Sequence, residues 1–110
     1  MTEPGTLSRG AGGALHIAVD ADHYRIRAED ARSLLFYGRA IPIYEDRSRT
    51  TSGGIPASEV AIEGHAVLAA SGRAVMLHSR AGSCAIPLVS FRRVARGEAA
   101  SAPLLPGVTL

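Results

Sequence analysis

Leu15-His16-Ile17-Ala18-Val19, a turn at Asp20-Ala21-Asp22, then Tyr24-Arg25-Ile26-Arg27, then Ala28 to Tyr37 closing on Gly38, is the stretch whose reading decides the fold. Leu15, Ile17 and Val19 alternate with His16 and Ala18, the period of two that marks a strand with one buried face. Tyr24 and Ile26 repeat that alternation against Arg25 and Arg27 after a turn built from aspartates, so the two segments predict a hairpin. From Glu29 the period changes. Ala31, Leu34 and Leu35 recur at helical spacing, Glu29 and Asp30 stand where a helix N-terminus favours negative charge, and Gly38 is placed to stop the helix.

The same order recurs later in the chain. Val75-Met76-Leu77-His78, a turn at Ala81-Gly82, Cys84-Ala85-Ile86 and then Leu88 to Arg96 closing on Gly97 again read as hairpin and helix. Superposed at an offset of about 60 residues, the two copies pair Ile26 with Ile86, Ala28 with Leu88, Asp30 with Ser90, Ala31 with Phe91 and Leu34 with Val94. Few of those pairs are identities. A repeated unit too small to bury its own apolar face packs against its copy, so the pattern predicts one compact pseudo-symmetric domain with an internal ββα duplication.

Outside these units the signals are weaker. Residues 1–12 are rich in glycine and hydroxyl side chains and read as a flexible arm, which leaves residues 13–97 as a single β-rich domain. The repeats occupy residues 14–38 and 74–97, with a polar loop at 45–56 between them. Ala40 to Tyr44 reads as a strand in which Pro42, lacking a donor, marks an edge or a bulge. Ser58 to Glu63 reads as a short strand or a single helical turn after Pro56, and Gly64 as a break. Ala66 to Ala70, Arg73 to Arg80 and Ser83 to Pro87 read as a three-strand meander. Its middle strand carries apolar side chains on both faces and is expected to be covered on both. Ser90 is a candidate N-cap for the second helix, and residues 98–110 form a tail whose leucines either dangle or dock. The predicted fold class is α+β and β-dominated, a small barrel or roll of about six or seven mostly antiparallel strands with two short helices.

Composition excludes more than it asserts. The chain of 110 residues contains no lysine, asparagine, glutamine or tryptophan. Schiff-base catalysis and Walker-type phosphate binding are therefore excluded, and bidentate adenine readout in a major groove loses its usual side chains. All twelve cationic side chains are arginines against ten carboxylates, a formal net charge of +2. The single cysteine excludes an intrachain disulfide framework. Met1 to Gly13 lacks a basic segment followed by an apolar run, and Ala66 to Ala70 is too short to cross a bilayer, so a cytoplasmic protein without membrane contact is expected.

Candidate chemistry is sparse. His16, His23, His65, His78 and Cys84 supply metal-ligand types without a close ligand pair, so no metal or cofactor is expected. Cys84 beside His78 across the Ala81-Gly82 turn, with His16, is the arrangement a thiol or metal enzyme would need. A strand-borne cysteine among apolar neighbours is more ordinarily a core residue, and the chain reads as non-catalytic. Arg47 and Arg49 precede a run of hydroxyls and glycines suited to phosphate, although Glu45 and Asp46 cancel the local charge. Arg92, Arg93 and Arg96 lie on the outer face of the second helix, and Arg32 on that of the first. Leu34-Leu35-Phe36-Tyr37 wraps right round a helix, so Phe36 or Tyr37 must face away from the core. The expected function is a protein-interaction or regulatory module acting on a second copy of itself or another protein, through Phe36 and Tyr37 with an arginine rim. The alternative is weak binding of nucleic acid or a phosphate ligand through Arg47, Arg49, Arg92, Arg93 and Arg96.

Overall fold

In the computed structural model, which describes residues 5–19, 21–45, 62–79 and 82–106, alternation becomes strand wherever the sequence shows it. Strands β1 (Gly5–Arg9), β2 (Leu15–Val19) and β3 (Asp22–Ile26) are followed by helix α1 (Ala28–Tyr37) and strand β4 (Ile41–Glu45). Strands β5 (Ile62–Leu68), β6 (Ala74–Ser79) and β7 (Gly82–Pro87) lead into helix α2 (Leu88–Ala95), β8 (Ser101–Pro103) and β9 (Leu105–Pro106). A 3-10 turn at Ala11–Gly13 joins β1 to β2.

All strand pairs among the described residues are antiparallel, in the order β8-β1-β2-β3-β4-β5-β6-β7-β9. Only Leu104 separates β8 from β9, yet they pair at opposite edges, β8 on β1 and β9 on β7. The last stretch of chain thereby draws the two edges together into a nearly closed barrel, which protects edge groups that would otherwise offer pairing to another chain. The fold is β-dominated with two helices, as the alternation predicts. Among the described residues the strand count is nine rather than six or seven, because the sequence reading misses strands at both ends. Leu7, in the segment expected to be a flexible arm, is fully buried between β2 and β8, and Leu104, in the expected tail, is fully buried as well.

The alternating residues fill the interior: Leu15 and Ile17, Tyr24 and Ile26, Ile41 and Ile43, Val75 and Leu77, Cys84 and Ile86. Ala31 and Leu34 from α1 and Phe91 and Val94 from α2 enter the same core. Each fully buried large side chain contributes roughly 1.5–3 kcal/mol by leaving water. Both helices stop at a left-handed glycine. The Gly38 amide donates to Leu34 O and the Gly97 amide to Val94 O. α1 has the predicted bounds and α2 begins at Leu88 as the repeat predicts, but its N-cap is Pro87, so Ser90 lies in its first turn and does not cap it.

The two hairpins share one register. Leu15↔Ile26, Ile17↔Tyr24 and Val19↔Asp22 in the first stand where Val75↔Ile86, Leu77↔Cys84 and Ser79↔Gly82 stand in the second. Gly64, expected to end a strand, lies inside β5. A Cβ there would strike the His78 carbonyl, just as a Cβ on Gly5 would strike that of Ala18, so both glycines permit close strand approach. The strand shifts register between Ile43 and Tyr44, next to the proline that suggested a bulge. In β6, Val75 and Leu77 are buried on one face, while on the other Ala74 is buried, Met76 half-buried and His78 exposed, so the second face is covered only toward the start of the strand.

Candidate functional site: an arginine-lined cleft

α1 and α2 touch one another, and the groove beside their contact is floored by the 3-10 turn. α1 contributes Ala28, Ala31, Arg32, Leu35 and Phe36 to a cleft of about 450 Å³. α2 contributes Arg92, Ala95 and Arg96, and the β1–β2 connection adds Arg9, Gly12 and Gly13. Four arginines from three elements therefore line one depression, and among the described residues its lining holds no carboxylate.

Helical spacing explains the convergence. Arg32 follows Ala31, and Leu35 follows Leu34, so the cleft-facing stripe of α1 lies one position round from its buried stripe. Arg92 follows Phe91 in the same way on α2, and Arg96 stands one turn further on. Arg9 arrives from the end of β1, and its guanidinium lies against Gly97 at the end of α2 and Gly13 of the 3-10 turn. A Cβ on Gly97 would overlap its Nη1, and one on Gly13 would come within 3.5 Å of its Nη2. Gly12 and Gly13 both have positive φ, which leaves the floor without side chains and the backbone reachable from the cleft. Arg9 also borders an adjoining, more open depression with Gly10, Gly97 and Ala99.

None of the cleft arginines forms an ion pair among the described residues. Among the described residues, carboxylate pairing involves Arg27, whose Nε lies 2.8 Å from Asp30 Oδ2 and 3.6 Å from Glu29 Oε1. The Asp30 hydrogen bond and charge hold the Arg27 guanidinium above its ordinary pKa. Arg27 also lies over the Tyr44 ring at 4.7 Å, and Arg39 over Tyr37 at 5.3 Å. Arg9, Arg32 and Arg96 are exposed, and Arg92 is half-buried.

Phe36 and Tyr37 are both 73% exposed, so both face away from the core. Phe36 lines the cleft beside Arg92 and Arg96, which joins one expected aromatic anchor to two expected arginines. Tyr37 does not line it, and neither does Arg93, an exposed residue in the last turn of α2 where its charge favours the helix C-terminus. Arg47 and Arg49 lie outside the described residues. The sequence reading places Arg32 on the outer face of the first helix without assigning it a binding role, although the 60-residue offset aligns it with Arg92, and it does not single out Arg9.

Among the described residues, the histidines considered for thiol or metal chemistry meet in pairs, His16 with His23 and His65 opposite His78, while Cys84 lies on the other face of its hairpin from His78. Cys84 pairs with Leu77 and faces the core, where burial raises its thiol pKa, whereas His78 faces out and bonds Ser83, Nδ1 to Oγ 2.8 Å. His16 bonds His23 instead, Nε2 to Nδ1 3.1 Å, with the rings stacked at 5.1 Å. Among the described residues, no three side chains of the His, Cys, Asp and Glu types are grouped to hold a metal ion. No helix among them is long and apolar enough to cross a membrane. No family model matches the chain, and neither a curated protein nor a solved structure gives a match, so the reading of the cleft stands on its own geometry.

Proposed function

We propose that this protein is a non-catalytic binding module that takes an anionic ligand or the acidic segment of a partner into the cleft between α1 and α2. The observation that carries this reading is the convergence of Arg9, Arg32, Arg92 and Arg96 on a lining in which none of the described residues is a carboxylate. Four like charges gathered in one depression repel each other, and a bound anion relieves that repulsion. Guanidinium forks match phosphate and carboxylate oxygens bidentately, so the cleft favours oxyanions over halide. Inorganic pyrophosphate titrated into the protein by calorimetry is expected to bind at low salt and to weaken several-fold at physiological ionic strength. No heat at low salt, or an affinity indifferent to salt, overturns the proposal.

Self-association through the exposed aromatics is a second reading, favoured by the accessibility of Phe36 and Tyr37 on consecutive positions and of Val89 at the start of α2. Light scattering tests it. A wild-type dimer that becomes monomeric in the Phe36→Ser, Tyr37→Ser double variant supports this reading, and a monomeric wild type removes it.

We also infer an internal duplication broader than ββα. Support comes from the shared hairpin register, from helices beginning at Ala28 and Leu88, and from glycines crowding the Ala18 and His78 carbonyls alike. On this reading β4 and the β8–β9 stretch correspond. β4 bridges β3 and β5, and β8 with β9 bridge β1 and β7. The cleft then lies where the two copies' helices meet, with Arg32 and Arg92 as counterparts.

A further inference from the structure

We infer that the cleft's ligand is a nucleoside diphosphate or a close analogue, its phosphates held by the four arginines and its planar ring laid on Phe36. This rests on the anion-binding reading above and adds to it the class of molecule. Several guanidiniums around one depression match a ligand carrying several charges on a compact group, which a single carboxylate does not supply. The volume of about 450 Å³ falls within the roughly 300–1,000 Å³ range of small-ligand clefts.

Phe36 supplies the second half of the argument. It lines the cleft, it is 73% exposed, and among the described residues no ring or guanidinium stacks on it, whereas Tyr37 already carries Arg39 and Phe91 is buried. An aromatic face open to water at the edge of a cationic cleft is a stacking platform for a base, and such stacking tolerates every base because each has a π-face. The lining holds Gly12 and Gly13 on its floor and small apolar residues such as Ala28 and Ala95 on its walls, with no amide side chain to read base edges. Selectivity among bases is therefore weak. Four arginines line one cleft of small-ligand size, which favours a mononucleotide over a nucleic-acid strand.

The test compares ADP, inorganic pyrophosphate and an oligothymidylate by calorimetry at low salt, in wild type and in Phe36→Ala. ADP is expected to bind about tenfold more tightly than pyrophosphate, the worth of one stacked base. In Phe36→Ala that advantage disappears while pyrophosphate affinity is unchanged, and circular dichroism confirms the fold of this surface variant. Equal wild-type affinities for ADP and pyrophosphate, or an advantage that survives Phe36→Ala, overturn the nucleotide assignment and leave the anion site standing. Absence of binding by both overturns the two readings together. An oligothymidylate that binds more tightly than ADP overturns the assignment in favour of a nucleic-acid strand.

Discussion

Phe91→Ala is expected to destabilise the protein by about 3–5 kcal/mol, the range for removing a fully buried phenylalanine and leaving a cavity. Phe91 is completely shielded from water and belongs to the shared core that α2 enters with Val94. Domains of this size are stable by only about 5–15 kcal/mol, so the loss takes a large share and lowers the melting temperature by roughly 15–20 °C. The matching control is Phe36→Ala, in which the same atoms leave an exposed helical position and stability moves by no more than about 0.5 kcal/mol. Thermal unfolding followed by circular dichroism separates the two. A Phe91→Ala variant that melts within a few degrees of wild type contradicts the seating of α2 in the barrel core.

The second large effect is on binding. Arg32→Ala combined with Arg92→Ala is expected to weaken pyrophosphate about a hundredfold at low salt. A hydrogen bond to a charged group is worth roughly 1.5–3 kcal/mol, and exposure of Arg32 with half-burial of Arg92 places each contact near the bottom of that range, about tenfold. The variant keeps its fold, because neither side chain belongs to the core and removing two like charges relieves repulsion. Arg73→Ala, an exposed position outside the cleft lining, serves as the control and is expected to change affinity less than about twofold. A double variant that binds as well as wild type contradicts the site.

What was legible in the sequence follows from how local each signal is. The alternation of Leu15, Ile17 and Val19, the helical spacing of Ala31 and Leu34 and the stops at Gly38 and Gly97 are short-range patterns, and β2, β3, α1 and α2 follow them closely. β1 and the β8–β9 stretch carry one fully buried leucine each among glycine, serine and proline, too little to signal a strand. They become strands because a long-range partner is waiting at a barrel edge. Gly64 misled for a related reason. Glycine weakens a strand in isolation, and only the approach of the His78 carbonyl requires it there.

The cleft was half legible. Arg92, Arg96 and Phe36 were singled out on separate grounds, but nothing local joins them, since they lie on two helices more than fifty residues apart. Arg9 was hidden in a segment read as an arm. The available signal was the 60-residue offset, which sets Arg32 against Arg92 and Phe36 against Arg96 and so gathers three arginines and one aromatic at related positions.

The most direct measurement is nuclear magnetic resonance of the arginine side chains during a pyrophosphate titration, because it locates the anion residue by residue. The Nε–Hε signals of Arg9, Arg32, Arg92 and Arg96 are expected to shift together and saturate, while those of Arg25 and Arg73, exposed outside the cleft, stay in place. Equal small shifts at every arginine, or saturating shifts confined to Arg47 and Arg49, would contradict the assignment of the cleft.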